Sequence, residues 1–245
     1  MRETPHSTRD AGKTMEPSVE HWDMLWEKTR ILAPHDTVLA AIEKLDTSMI
    51  LEVGAGSGRD LEELRRRGYD VVYADFSPVA VGAFSRRNPG VPTVIADCRC
   101  LPFRDESIDL VLSLGLLEHF ERETRRTIIQ EKLRVARRYT LIDVPQTLSP
   151  MMLVKKALMA LGRWSYGEET QFTFSQLLRE LRSAGDHCEV VGQYGRELVP
   201  LPRNVKNVFY SRLPAAIRSI FIKSHSFFAR GLAGSFGIIV AKTRE

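Results

Sequence analysis

The sequence has 245 residues, of which 43% are hydrophobic and 27% are charged, and its formal net charge is +4 at pH 7. These values are typical of a soluble globular protein and exclude a membrane-spanning chain, because no apolar stretch is long enough to cross a bilayer. The polar N-terminus lacks a signal-peptide core, so a cytoplasmic location is expected. The three cysteines show no metal-ligand spacing, and we therefore expect reduced thiols and no metal.

Predicted strands and helices alternate along the chain. Residues 1–18 are predicted to form a mobile tail, and residues 19–245 a single domain. Strands are predicted at residues 49–53, 71–74, 93–96, 109–114, 139–144, 188–194 and 236–241. Helices are predicted at residues 21–30, 38–45, 60–67, 78–87, 122–136 and 151–161, and from a cap at Thr173 to Gly185. Strands separated by helices imply parallel pairing, and hence a three-layer αβα sandwich.

The first predicted strand runs directly into a glycine-rich segment. Glu52, Gly54, Gly56 and Gly58 occupy alternate positions there. A strand, a glycine loop and a helix N-terminus form a nucleotide site, because a loop without Cβ atoms presents its N–H groups to a ligand. A dinucleotide fingerprint requires a glycine where this chain has Arg59, and Glu52 would repel a pyrophosphate. The pattern favours a positively charged nucleoside, with a nucleotide-dependent oxidoreductase as the weaker alternative.

Carboxylates also follow the next two predicted strands. Asp75 lies 17 residues after Gly58, close to the spacing at which a carboxylate meets a ribose in such units. Asp97 is expected to accept the exocyclic amino group of adenine, with Phe76 as an apolar face. Each acid alone equally fits a turn or cap residue. Three carboxylates on three successive strands favour a nucleoside site.

These motifs resemble those of the class I S-adenosylmethionine-dependent methyltransferases. Residues 50–60 match motif I, residues 71–78 match the segment after it, and residues 96–120 are similar to small-molecule methyltransferases related to quinone-biosynthesis enzymes. The resemblance covers about residues 45–145, the predicted cofactor half, with a looser match at residues 171–185. It implies a Rossmann-like, seven-stranded sheet in the order 3-2-1-4-5-7-6 with strand seven antiparallel. It also implies S-adenosylmethionine as cofactor and S-adenosylhomocysteine as product.

The resemblance further implies a set of residues that contact the cofactor. They are Glu52, Gly54, Ala55, Gly56 and Gly58 for the methionine end; Asp75 for the ribose; Phe76, Asp97 and Cys98 for the adenine; Leu114 and Gly115 for the sulfonium; and Ser77 as a further contact.

Methyl transfer from a sulfonium is an in-line displacement that depends largely on alignment of the two reactants. A general base is needed only when the acceptor must lose a proton early. His119, just after the fourth predicted strand, is the candidate base, and the alternative is a histidine that packs or caps a helix start. Glu118 and His119 as metal ligands are rejected, because no second pair stands at ligand spacing.

The sequence indicates less about the methyl acceptor than about the cofactor. Residues 113–115 lack the Asn/Asp-Pro-Pro-aromatic tetrad of the related enzymes that methylate bases, which disfavours nucleic acid. We expect a small-molecule acceptor, methylated on oxygen and possessing apolar or lipid-like character. Residues 146–245 form the predicted acceptor side. Candidate acceptor contacts there are Gln146, Trp164, Tyr166 and Glu168, each of which equally fits a loop packing residue.

Basic residues are concentrated in the C-terminal part of the chain. Residues 151–245 hold 14 Lys or Arg and 7 Asp or Glu. This asymmetry fits peripheral contact with an anionic membrane or partner, and it equally fits a solvated basic face. A non-catalytic, S-adenosylmethionine-binding regulatory protein that docks through this surface is therefore the alternative function. Trp22 and Trp26 at helical spacing predict a helix that either covers the cofactor or only packs. The sequence does not indicate an oligomeric state.

Overall fold

The computed structural model describes residues 18–28, 33–147, 149, 169–185, 188–196 and 234–243. The strands are β1 (Met49–Val53), β2 (Asp70–Asp75), β3 (Thr93–Ile95), β4 (Ile108–Leu114), β5 (Ala136–Pro145), β6 (Cys188–Arg196) and β7 (Ser235–Lys242). The helices are α1 (Val19–Lys28), α2 (Asp36–Ile42), α3 (Arg59–Arg66), α4 (Pro78–Arg87), α5 (Arg122–Val135) and α6 (Phe174–Ala184). A 3₁₀ turn, Leu117–His119, follows β4. The predicted helix at residues 151–161 lies outside the described residues, as do residues 1–17.

The strands form one sheet in the order β3-β2-β1-β4-β5-β7-β6. Strands β1 to β5 pair in parallel, and β7 runs antiparallel between β5 and β6. Helices connect the parallel neighbours, as a crossover between parallel strands requires. The predicted strand order, including the antiparallel seventh strand, is confirmed. The carboxyl ends of β1, β2 and β4 consequently meet at one edge, where ligands bind in sheets of this kind.

Side-chain alternation along the strands produces two separate cores. In β1, Leu51 and Val53 pack into the cluster that contains Ile128 of α5 and Leu177 of α6. The intervening Ile50 packs on the opposite face, into the cluster formed with α2, α3 and α4. Because successive strand residues point to opposite faces, apolar residues on both faces of β1 require helices on both sides. The three-layer prediction is therefore confirmed.

Two helix starts show why local signals place the elements correctly. The Ser77 hydroxyl accepts the Ala80 N–H at 3.1 Å and caps α4, with proline at the first helical position. The Thr173 hydroxyl accepts the Gln176 N–H at 3.2 Å and caps α6. Both caps use an N–H that a helix start leaves without an intrahelical acceptor.

Several predicted boundaries differ from the structure by one to three residues, among them those of α2 and the start of β5. Ala136 was assigned to the helix before β5, whereas it is the first residue of that strand and pairs with Ile108. The prediction starts this strand only at residue 139, three residues too late. Arg137 instead extends from the strand to Asp109, with 3.0 Å between Nη1 and Oδ1. The division into a tail and a single domain stays a prediction.

Candidate functional site

The glycine loop, residues 54–58, joins β1 to α3, and its three glycines adopt left-handed backbone conformations. Gly56 has φ +51°, and a Cβ placed on it would lie 2.3 Å from the Trp26 ring of α1. Gly58 has φ +66°, and a Cβ there would lie 2.2 Å from the Phe84 ring of α4. Both the backbone conformation and the close approach exclude a side chain at these two positions. The loop thus runs tightly between two helices.

Asp75, at the end of β2, binds the glycine loop directly. Its Oδ2 accepts the Gly56 N–H at 2.8 Å, and its Oδ1 accepts the Ser77 N–H at 2.9 Å. The Tyr73 hydroxyl donates to the Gly56 carbonyl at 2.6 Å, so side chains of β2 bind both the N–H and the carbonyl group of Gly56. Burial raises the pKa of Asp75, and the two backbone N–H donors oppose that shift. The sequence indicated Asp75 as a ligand-binding carboxylate but missed its role in holding the loop.

Glu52 lies buried in β1, two residues before the loop. Its Oε2 is buried and has no hydrogen-bond partner in the described part of the chain. Burial raises the pKa of Glu52 well above its ordinary value of 4.5, and the carboxylate of Asp60 raises it further. A buried carboxyl without a donor is costly unless a cation or hydrogen-bond donor reaches it. The site therefore offers an acceptor for a positively charged group.

The segment after β3 lies beside Asp75, because the Ala96 N–H donates to the Asp75 carbonyl at 2.9 Å. The Cys98 side chain is buried, whereas Phe76, which follows Asp75 in the sequence, is 40% exposed. Asp97 carries a salt bridge with Arg99, whose Nη2 lies 2.7 Å from its Oδ2. Both Asp97 oxygens accept from this guanidinium, an engagement that the sequence analysis did not foresee. An adenine amino group would have to share this carboxylate with Arg99.

The turn after β4 brings Leu114 and Gly115 to the same edge of the sheet. Gly115 has φ +71°, and its N–H donates to the Asp143 carbonyl at 3.0 Å. His119, the candidate base, is buried, and its ring meets Trp22 edge-on with 4.8 Å between centroids. The structure therefore places His119 beneath α1. Its role as a base stays a prediction.

Glu118 is the acid beside this histidine, and its sequence position suggested only the metal-ligand role rejected above. The residue is 7% exposed, and its Oε2 is buried without a hydrogen-bond partner among the described residues. Burial raises the pKa of Glu118 to about 8, and the nearby Glu169 adds to the shift. The one sequence signal was a lone acid in an otherwise apolar run. A carboxyl with such a pKa fits proton transfer near neutral pH.

Helix α1 lies across this edge of the sheet. Besides the contacts of Trp26 and Trp22, its Asp23 accepts a hydrogen bond from the Ser77 hydroxyl and another from the Val79 N–H, the latter at 3.3 Å. These contacts extend from the glycine loop to the turn after β4. The predicted tryptophan helix therefore does touch the candidate site, and whether it covers a bound cofactor stays a prediction.

A polar network that the sequence did not reveal lies next to the loop. The His35 ring contacts Asp60 of α3 through Nδ1 at 2.8 Å. Its Nε2 lies 2.8 Å from Nη1 of Arg196 in β6. Arg196 in turn binds the fully buried Asp143 of β5, with 2.7 Å between Nη2 and Oδ1. Because an arginine N–H can only donate, Nε2 of His35 must accept from Arg196. The N–H of the neutral ring is therefore at Nδ1, and it donates to Asp60. The network thereby joins α3, the helix after the glycine loop, to β5 and β6.

Of the candidate acceptor contacts, the structure describes only Gln146. This residue is fully buried directly after β5, where its backbone N–H donates to the Gly234 carbonyl at 3.0 Å. Trp164, Tyr166 and Glu168 lie outside the described residues.

Within the described ranges, no group of three or more His, Cys, Asp or Glu side chains could hold a metal ion. Cys98, Cys100 and Cys188 are free thiols. A search of the helices in those same ranges finds none with the length and apolar character needed to cross a membrane.

Comparison with known proteins gives matches in the same part of the chain. Residues 50–138 match a family model described as a methyltransferase domain. Demethylmenaquinone methyltransferase of Thermobifida fusca (strain YX) is 31% identical over 120 residues, which cover 44% of this chain and 50% of that protein. Probable tRNA methyltransferase 9B of Homo sapiens is 33% identical over 94 residues, which cover 38% of this chain and 20% of that protein. The chain thus spans half or less of the length of these relatives.

The fold also matches solved structures over nearly its whole length. A SAM-dependent methyltransferase from Thermotoga maritima, described as a possible histamine N-methyltransferase, has a TM-score of 0.60 and 16% sequence identity. The match covers 91% of this chain and 94% of that one. At this identity the likeness establishes the fold.

Proposed function

We propose that this class I methyltransferase binds S-adenosylmethionine and transfers its methyl group to a small-molecule acceptor. The assignment to class I methyltransferases rests on the family match of residues 50–138 and on the strand order with an antiparallel β7. The observation that carries the proposal is the bond between the Asp75 carboxylate and the Gly56 N–H. It ties the glycine loop to a buried carboxylate, at the edge of the sheet where β1 and β2 end.

The proposed cofactor site follows the sequence assignment. Glu52 and the glycine loop receive the methionine end, because the buried Oε2 lacks a donor that the ammonium group would supply. Asp75 receives the ribose through the lone pairs that its two backbone donors leave free. The segment from Asp97 to Cys98 borders the adenine with Phe76, whose exposed ring is available for stacking. Gly115 borders the sulfonium.

We further propose O-methylation of an apolar or lipid-linked acceptor. The curated relatives include enzymes named for demethylmenaquinone, which serves as the first probe of the acceptor class, and the methylated product shows whether oxygen or carbon receives the methyl group. Another relative is named as a tRNA methyltransferase, but residues 113–115 carry no Asn/Asp-Pro-Pro-aromatic tetrad that would grip a base. Peripheral membrane contact through the basic C-terminal part stays a prediction, because residues 197–233 lie outside the described residues.

Calorimetry with S-adenosylmethionine, S-adenosylhomocysteine and NADH tests the cofactor. We expect the first two to bind and NADH to give no heat of binding. Binding of NADH without S-adenosylhomocysteine would overturn the proposal. A screen with methyl-labelled S-adenosylmethionine against demethylmenaquinone and lipid extracts then tests transfer. Tight cofactor binding without transfer to any acceptor would favour the non-catalytic regulatory function.

Asp75→Ala tests the cofactor geometry at a single residue. A hydrogen bond to a charged group contributes about 1.5–3 kcal/mol, which is about 10- to 150-fold in affinity, so affinity for S-adenosylhomocysteine should fall by about 10-fold or more. Asp70→Ala is the matched control, because Asp70 is exposed at the opposite end of the same strand. Unchanged affinity in Asp75→Ala, in a variant that remains folded by circular dichroism, would show that the ribose assignment is wrong.

A further inference from the structure

We propose that Glu118 is the general base of the reaction and that the positive charge of the sulfonium sets its protonation state. This inference rests on the proposed methyl transfer and assigns to Glu118 the role that the sequence had suggested for His119.

The position of the Glu118 carboxyl supports this role. Its Oε1 lies against Gly115, because a Cβ placed on that glycine would be 3.2 Å away. Its Oε2 is buried and lacks a hydrogen-bond partner in the described part of the chain. The Thr170 N–H donates to the Glu118 carbonyl at 2.7 Å and fixes the turn. An unsatisfied buried oxygen thus lies next to the strand end proposed to border the sulfonium, where an acceptor hydroxyl would satisfy it.

Burial is the main reason that Glu118 holds its proton while no cation is bound, and the surrounding charges modify this effect. Asp143 of β5 and Glu169, which precedes α6, act against ionisation, and Arg196 of β6 acts in favour of it. Arg196 and Asp143 form a salt bridge with each other, so their opposite effects on the pKa of Glu118 offset one another. His119, on the same turn, faces Trp22. With a pKa of about 8, Glu118 is mostly protonated at neutral pH. A sulfonium nearby would lower that pKa by Coulomb attraction.

The reaction step then balances in charge. With the sulfonium bound and Glu118 ionised, the acceptor hydroxyl donates to Oε2. The acceptor oxygen forms a bond to the methyl carbon, the carbon–sulfur bond breaks with its electron pair going to sulfur, and the hydroxyl proton passes to Glu118. The products are a methyl ether, a neutral thioether and a protonated carboxyl. Loss of the sulfonium charge restores the raised pKa, so the base becomes stronger as the methyl group leaves.

Proton release on cofactor binding tests this coupling without any acceptor. Titration calorimetry at pH 7 in phosphate and in Tris counts the protons released with S-adenosylmethionine and with S-adenosylhomocysteine. The two compounds share their ammonium, carboxylate, ribose and adenine groups, so proton exchange at Glu52 or Asp75 cancels in the difference. With a pKa of about 8, up to about 0.9 more proton should leave with S-adenosylmethionine. The difference should approach zero above about pH 9, where Glu118 is already ionised.

Glu118→Gln should bind both compounds and lose the difference, whereas Glu123→Gln, on the exposed first turn of α5, should keep it. Equal proton release from the wild-type protein, or a difference that persists in Glu118→Gln, overturns the role of Glu118. The wild-type pH series decides the question alone if that variant does not fold. A protein that binds neither compound overturns the proposed function itself, which is a distinct outcome.

Discussion

The buried ion pair between α5 and α6 allows a quantitative test of the packing. Arg125 and Glu180 have side chains that are only 5% and 8% exposed. The guanidinium makes two bonds to the carboxylate, at 2.8 Å from Nε to Oε2 and at 2.7 Å from Nη2 to Oε1. Its Nη1 donates to the Phe120 carbonyl at 2.8 Å, directly after the turn that carries Glu118. The perturbation is Glu180→Gln, which removes the negative charge and keeps the shape.

The expected loss of stability follows from this burial. Removal of one partner from a buried ion pair costs about 3–5 kcal/mol, because the other charge stays desolvated. Glutamine retains one acceptor oxygen, so we expect the lower end, about 3 kcal/mol. For a domain of this size, that loss corresponds to a decrease in melting temperature of roughly 6–12 °C.

Urea unfolding followed by circular dichroism measures the change. Glu63→Gln is the matched control, because Glu63 pairs with Arg66 and Arg67, whose side chains are 67% and 33% exposed. Exposed pairs contribute about 0–1 kcal/mol. If Glu180→Gln lost no more stability than Glu63→Gln, the reasoning from burial to energy would be wrong for this pair.

Three further substitutions test other parts of the site. Burial lowers the pKa of Lys132 well below 10.5, so the unfolded chain binds more protons and the free energy of unfolding should rise as pH increases toward 10.5. Lys132→Met should flatten that rise, and an unchanged slope would contradict the assignment. Gly56→Ala should lower the melting temperature more than Gly90→Ala, because Gly90 also has positive φ but no atom within 4 Å of the added Cβ. Equal decreases would show that the Trp26 side chain moves away from the added Cβ at little cost. Asp23→Ala removes two hydrogen bonds of α1 and should speed S-adenosylhomocysteine dissociation about fivefold in stopped-flow measurements. An unaltered rate would show that α1 does not control release of the cofactor.

Much of the fold was predictable because its signals are local. Ser77 and its following proline specify a helix start within four residues, and the glycine loop marks the end of β1 by itself. Apolar runs bounded by such signals placed the strands to within a few residues. The position of β7 between β5 and β6 has no local signal, and only the resemblance to a known family supplied it.

The electrostatics of the site depended on contacts that sequence spacing does not show. Lys132 reads as a helix-surface residue, yet its Nζ is buried and donates to the Ser113 hydroxyl at 2.6 Å and to the Leu141 carbonyl at 2.8 Å. From its sequence position, Glu118 is only the neighbour of His119. Its burial makes it the stronger candidate for the general base. Burial and partner choice arise from packing between distant segments, which periodicity cannot specify.

Helix α1 has a consequence for the order of events in a catalytic cycle. If α1 covers the bound cofactor as predicted, a nucleoside held by the glycine loop would leave only after this helix separates from the loop, because Trp26 lies against Gly56 and Asp23 binds Ser77. Helix motions of this kind occur in microseconds to milliseconds and can limit turnover. The residence time of the spent cofactor, rather than the chemistry at the methyl group, would then set the maximal rate. Separation of α1 from the glycine loop would then be the rate-limiting step.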